Sequence, residues 1–259
     1  MKQNFSITIT ALIFFVVHTF FRVSNIHDIL SLLLTLILGF ILLYLSFCLK
    51  IKKRIFPSFI NTFLLVIFFL IIISTSILFI HEHYLNHNNY FISISTLLFL
   101  VLIIGKNKLS VIASLSNILL FFFVITFCLL IYGSFNYVTT NNFSLSPMFS
   151  LLPFGIILIT YHFKDKKRDV YKGYYLASIA LLIEVLITIL SSGHLLSNTY
   201  LFTHVSVLKS VSSLSFLGSI EILFSFSYLY GHIITLALII YLIKKEFYDS
   251  NLQTKPNNS

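Results

Sequence analysis

The chain is poor in charged residues, and especially in acidic ones. Only 10% of its 259 residues are charged, eight are Asp or Glu, tryptophan is absent, and there are two cysteines and four prolines. Hydrophobic residues make up 58% of the sequence. This composition excludes an ordinary soluble domain, because such a domain needs more polar surface than these residues supply. The two cysteines, Cys48 and Cys128, lie in different apolar stretches, and we expect no disulfide between them.

Sequence motifs of the common enzyme classes are also missing. The chain has no nucleotide-binding G-x-x-x-x-G-K-[ST] motif, no G-x-S-x-G elbow and no H-E-x-x-H metal site. The spacing of His81, His83 and His87 does not place three ligands on one helix face, and we interpret this segment as a polar loop. A basic, aromatic-rich module for RNA or DNA is absent. We therefore expect no enzymatic activity, no cofactor or metal, and no nucleic-acid partner.

What the sequence does contain is a series of eight long apolar stretches. They cover roughly residues 6–21, 29–49, 57–80, 90–105, 109–133, 144–162, 171–195 and 219–243. Most approach the length of about 20 apolar residues that a helix needs to cross a bilayer. The stretches are continuous rather than alternating, which excludes the strands of a membrane barrel. The sequence therefore predicts an all-α membrane helix bundle, because helices satisfy their own backbone polar groups in lipid.

The positions of lysine and arginine predict the orientation of this bundle. Fifteen of the 17 basic residues fall in alternate connections or at the termini, and only Arg22 and Lys209 fall in the other set. Short loops rich in Lys and Arg stay in the cytoplasm, so we expect eight crossings with both termini inside. Residues 1–245 would form the membrane domain, and 246–259 a disordered cytoplasmic tail. The segment Leu196–Gly218 could be interfacial, re-entrant or a further crossing.

Several residues inside the predicted spans are candidates for function. Pro153 and Gly155 fall within the stretch 144–162, where they predict either a broken helix at a ligand site or a simple kink. Glu184 lies in the middle of the span 171–195, where a carboxylate must pair, face the bundle interior or be protonated. His232 lies within the last span, and a neutral histidine there usually contacts a neighbouring helix.

The order of these features resembles a known family. The segment PFGIILITYHFKDKK starting at Pro153 runs into a basic turn, and Phe216–Gly231 begins FLGSIE. These stretches are similar to the B subunits of spore germinant receptors, the endospore germination permeases of the amino acid–polyamine–organocation transporter superfamily. Glu221 matches the acidic position of the family pattern F-L-x-R-x-E, while Ser219 replaces its arginine. Family members usually have about ten spans, so the resemblance implies a truncated form of their five-plus-five inverted repeat.

The resemblance also implies a function, a location and a site. It predicts a permease-like protein in the cell membrane, as in the spore inner membrane, that contacts lipid and works with other receptor subunits. It would bind a small polar ligand, such as an amino acid, and signal through its partners or transport the ligand. The expected ligand contacts are His18, Thr19, Ser150, Pro153, Phe154, Gly155 and Ser225. Glu184 and Glu221 would couple binding to the response.

Two other functions fit the same sequence. The chain could be the membrane subunit of an ABC-type exporter that takes its energy from a separate ATPase. It could also be a scaffold that assembles other membrane proteins without transporting anything.

Overall fold

A computed structural model of the chain describes residues 26–48, 58–83, 90–134, 167–199 and 220–253. These residues form six α-helices, and no strand occurs among them. The helices are α1 (Ile26–Cys48), α2 (Ser58–His83), α3 (Tyr90–Gly105), α4 (Leu109–Ser134), α5 (Lys167–Thr199) and α6 (Ile220–Gln253). The all-α prediction is therefore confirmed for this part of the chain.

Each of the six helices overlaps one of the apolar stretches of the sequence, and α2 continues to His83, into the segment that was interpreted as a polar loop. The predicted stretch 90–105 has the same limits as α3, and 109–133 differs from α4 by one residue. The stretches 6–21 and 144–162 lie outside the described residues. At its end α5 includes the first residues of the segment Leu196–Gly218, up to Thr199, and α6 continues to Gln253, past the predicted start of the tail.

Two of the helices are long and apolar enough to cross a membrane. The segments are Thr62–His81 in α2 and Phe226–Tyr248 in α6. Shorter apolar helical segments are Leu36–Leu45, Ile94–Gly105 and Leu109–Ile125. Length and composition in the described residues thus favour a membrane protein.

The outer surface of the helices is apolar as well. Among the described residues, Phe91 is 83% exposed, Phe59 79% and Leu34 66%, and many further large hydrophobic side chains are exposed. Contiguous apolar surface of this kind is rare on proteins that face water. Lipid is a solvent that covers such side chains without cost.

Helix α6 is the centre of the bundle and packs against α2, α3 and α4. One side of α6 is buried at the i, i+3, i+4 spacing of a helix face, through Tyr228, His232, Thr235, Ile239 and Leu242. Residues further round the helix, including Ala237 and Leu238, are buried too. A helix that is buried on several sides belongs to the interior of a bundle.

Residue contacts give the relative directions of α2, α4 and α6. Phe79 and Ser76 of α2 contact Tyr228 and His232 of α6, respectively, so the order of contacts runs in opposite directions along the two helices. Phe122 of α4 meets Phe226, with ring centroids 6.1 Å apart. The other end of α4 lies beside the C-terminal half of α6, where Leu109 and Tyr241 line one cleft. Both α2 and α4 are therefore antiparallel to α6.

Helices α1 and α5 form a second antiparallel pair, and α5 also contacts α4. The Tyr174 hydroxyl donates a hydrogen bond to the carbonyl oxygen of Leu36 at 2.6 Å. At the C-terminal end of α1, Lys167 Nζ donates to the carbonyl oxygen of Phe47 at 2.9 Å and lies 5.4 Å from the centre of its ring. The lysine thus caps the C-terminus of α1, where carbonyl groups lack helical partners.

Gly105 allows the end of α3 to approach α6 closely. A Cβ at this position would lie 3.0 Å from Ile240 Cγ2 and 3.3 Å from the carbonyl oxygen of Ala237. A Cβ here would therefore require Ile240 or the helix backbones to shift by a few tenths of an ångström. This contact, together with the short turn after Gly105, brings the basic residues Lys106 and Lys108 to the C-terminal end of α6.

Candidate functional site

Most of the predicted ligand contacts lie outside the described residues. These are His18, Thr19, Ser150, Pro153, Phe154 and Gly155. The backbone of the other three is described: Glu184 lies in α5, and Glu221 and Ser225 lie in the first turns of α6. A site between the spans 6–21, 144–162 and 219–243 therefore remains a prediction. The helix that it was expected to share, α6, carries a buried polar cluster two turns after Ser225.

His232 is the centre of this cluster. Its side chain is fully buried, and its Nδ1 lies 2.5 Å from the hydroxyl oxygen of Ser76, which is fully buried too. The contact joins α6 to α2 across the interior of the bundle. A polar group removed from water costs free energy unless it forms a hydrogen bond, so this contact stabilises the packing of the two helices only while both partners are present.

Ser76 also contacts the backbone of its own helix. Its hydroxyl lies 2.7 Å from the carbonyl oxygen of Ile72, one turn earlier in α2. A serine hydroxyl has one proton, so the tautomer of His232 decides whether Ser76 donates to the ring or accepts from it.

Aromatic rings cover one side of the histidine. The ring of Tyr228 lies 4.2 Å from that of His232, centre to centre, and the ring of Phe79 lies 4.3 Å from that of Tyr228. Phe79, Tyr228 and His232 therefore form a continuous row between α2 and α6. Both aromatic side chains are at least 97% buried, since their exposed fractions are 0% and 3%. The row fixes the plane of the imidazole and excludes solvent from that side of the ring.

Further polar side chains lie at about the same height in the bundle. Thr75 is buried next to Ser76 in α2, and Thr235 is buried about one turn after His232 in α6. Their hydroxyls donate to carbonyl oxygens of their own helices, Thr75 to Ile72 at 2.9 Å and Thr235 to Gly231 at 2.8 Å. These hydroxyl protons are therefore used locally, while the lone pairs of their oxygens can accept hydrogen bonds.

Helix α4 contributes Ser116 and Asn117 to this polar layer. Phe122 of α4 contacts Phe226 of α6, and at the other end of the helix pair Leu109 and Tyr241 line one cleft. Both helices rise by about 1.5 Å per residue. Ser116 and Asn117, halfway along, therefore lie level with His232. The Asn117 amide oxygen is buried and has no hydrogen-bond partner among the described residues. Buried polar atoms are nearly always paired, so this acceptor is an exception among the described residues.

The polar layer offers hydrogen-bonding groups. Its described side chains are an imidazole, hydroxyls and an amide, with no acidic side chain among them. Within the described ranges, no group of three His, Cys, Asp or Glu side chains could hold a metal ion.

Sequence reasoning found one part of this layer. His232 stands out as a histidine within a span, whereas Ser76 does not stand out on its own. The two residues lie in spans that are not adjacent in sequence, so no local pattern links them. The contact could have been found by aligning the two buried helix faces. Ser76 and Phe79 lie three residues apart on α2, and Tyr228 and His232 lie four residues apart on α6, so each pair shares one helix face.

Comparisons with known proteins give no relative for this chain. No protein-family model matches it, and neither a curated protein nor a solved structure shows significant similarity to it.

Proposed function

We propose that the chain is a multi-pass, permease-like membrane protein that recognises a small polar ligand inside its helix bundle. The observation that carries the proposal is the buried polar layer at His232, Ser76 and Asn117, which lies within two apolar, membrane-length segments and their neighbour α4. Polar side chains inside a membrane are costly, and their presence there is commonly connected with function.

The same proposal includes the germinant-receptor type of function that the sequence resemblance implies. Binding of an amino acid or a similar ligand would be passed to partner subunits, or would lead to transport. Ser225 lies seven residues before His232 in α6, and seven residues are close to two helical turns. The predicted ligand contact is thus about two helical turns from His232 along α6.

Eight crossings with both termini in the cytoplasm are part of this proposal. Its support is the grouping of basic residues at shared ends of the helices. Lys106 and Lys108 line one cleft with Lys244 and Lys245, as expected if both connections face the cytoplasm. Lys167, at the start of α5, contacts the end of α1, which precedes another basic loop.

The experiment is a ligand screen by thermal stability of the full chain in lipid nanodiscs, with amino acids, sugars and nucleosides as the panel. A ligand at one hundred times its dissociation constant stabilises the folded state by about 2.7 kcal/mol. We expect one chemical class to raise the melting temperature, and Asn117→Leu to abolish the rise. Ser114→Leu is the matched control, because Ser114 is exposed on the same helix. A rise that survives Asn117→Leu would contradict binding at the polar layer.

The outcome also separates the two alternative functions. An exporter subunit would show no ligand effect alone but would co-purify with a nucleotide-binding protein. A scaffold would show neither property, and its function would tolerate substitution of Glu184 and Pro153.

A further inference from the structure

We propose that the cytoplasmic end of α6 carries a binding site for the phosphate group of an anionic phospholipid. A cleft of about 540 Å³ lies there, between the α3–α4 turn and the last turns of α6. Its lining residues are Lys106, Asn107, Lys108, Leu109, Tyr241, Lys244, Lys245, Phe247 and Tyr248. We call this the basic cleft.

The charge of the basic cleft is of one sign. Four of its lining residues are lysines and none is acidic. Glu246, between two of the lining segments in sequence, is 1% exposed and is not part of the lining. Four ammonium groups around one cavity repel one another, and a bound anion removes that repulsion. Lysine also binds phosphate well as a point charge.

The turn that supplies two of these lysines is held in a fixed conformation. The backbone N–H of Lys106 donates to the carbonyl oxygen of Leu102 at 3.1 Å, and that of Asn107 to Ile104 at 3.0 Å. The Asn107 amide nitrogen donates to the carbonyl oxygen of Ile103 at 2.8 Å and so caps α3. With Gly105 packed on α6, these bonds place the lysines before a ligand arrives, which lowers the entropic cost of binding.

The surroundings favour a lipid over a free phosphate compound. Phe247 and Tyr248 are 58% and 67% exposed at the cleft, and Tyr241 adds a third aromatic ring. Aromatic residues next to lysines are typical of the boundary between membrane and water. Basic pockets between helices on the cytoplasmic side bind anionic headgroups, because anionic lipids are enriched in that leaflet. The inference rests on the membrane placement within the proposed function, but not on ligand binding at the polar layer.

The test measures lipid bound to the full chain, purified in detergent, by native mass spectrometry. Phosphatidylglycerol and phosphatidylcholine are added in turn to the parent protein and to Lys244→Gln/Lys245→Gln and Lys106→Gln/Lys108→Gln. Since a lysine near an anionic surface contributes about a factor of five, each pair should weaken phosphatidylglycerol binding by roughly tenfold to thirtyfold. Lys244→Arg/Lys245→Arg should retain binding, because the charge remains. Lys172→Gln, an exposed lysine on α5 outside the cleft, is the matched control.

Several results would overturn the proposal. Equal binding of phosphatidylcholine, or an equal loss in Lys172→Gln, would show that the cleft is not selective. Full competition by glycerol 3-phosphate in the same concentration range would assign the cleft to a soluble phosphate compound instead. If the protein fractionates without membranes, the proposed function itself is wrong. If the protein is in the membrane but binds no lipid selectively, only the basic-cleft proposal is wrong.

Discussion

Substitution of Ser76 by alanine tests the contact at the centre of the polar layer. The change removes the hydroxyl that contacts His232 Nδ1 at 2.5 Å and Ile72 at 2.7 Å, in a place where both side chains are fully buried. Hydrogen bonds between membrane helices are worth about 0.6 kcal/mol on average and about 1.7 kcal/mol at most. The buried imidazole loses this contact, so we expect a cost of about 1–2 kcal/mol.

The measurement is the melting temperature of the protein in nanodiscs, followed by size-exclusion chromatography of heated samples. At about 2–4 °C per kcal/mol for a chain of this length, a cost of 1.5 kcal/mol lowers the melting temperature by about 3–6 °C. Ser74→Ala is the control, because Ser74 is exposed two residues away on the same helix and its loss should change stability by less than about 0.5 kcal/mol.

A double-mutant cycle shows whether the cost belongs to the Ser76–His232 pair. His232→Phe keeps a ring against Tyr228 but removes both nitrogens. In its presence, Ser76→Ala should cost about 1 kcal/mol less than in the parent protein. Equal effects of Ser76→Ala and Ser74→Ala, or a coupling energy of zero, would refute the reasoning that the buried contact holds α2 and α6 together.

Two further predictions concern the α1–α5 pair and the topology. Tyr174→Phe removes the 2.6 Å hydrogen bond to the Leu36 carbonyl and should cost about 0.5–1.5 kcal/mol in the same melting assay. Tyr175→Phe is the control and should not change stability, because Tyr175 is 64% exposed at the next position. Equal costs for the two substitutions would contradict the bond. For the topology, Cys48 and Cys128 are first replaced by serine. An impermeant maleimide should then label Asn89→Cys in intact cells, and Asn107→Cys only after permeabilisation. Labelling of both positions from one side would exclude a crossing by α3.

Helix existence and limits were predictable because they depend on local sequence. The run Tyr90–Gly105 is largely apolar and ends at a glycine, and the segments on both sides of it are polar, so the limits of α3 follow from local composition. The limit of α6 was less predictable. Residues after Lys245 are polar enough to suggest a tail, yet the helix continues to Gln253 and buries Glu246. Helical propagation adds one bond per residue, so a helix extends beyond its apolar segment where its neighbours support it.

The candidate site was less accessible from sequence than the fold. Candidates in the sequence were chosen by unusual residues within one span, such as Pro153 and Glu184. The polar layer instead depends on three helices, of which α2 and α6 are separated by 156 positions at the Ser76–His232 contact. A single sequence does not state which spans are neighbours, and a histidine that contacts a serine has the same local pattern as one that faces lipid.

The sequence by itself determined the class of this protein: composition and apolar runs require helices, and the alternation of lysine and arginine predicts on which side each connection lies. These properties follow from each segment's own interaction with lipid and water, independently of its neighbours. The tertiary structure decided which helices meet. Packing places α6 between α2, α3 and α4, lets Gly105 approach Ala237, and buries His232 against Ser76. Close packing depends on the shapes of facing surfaces, and those surfaces exist only once the helices have assembled.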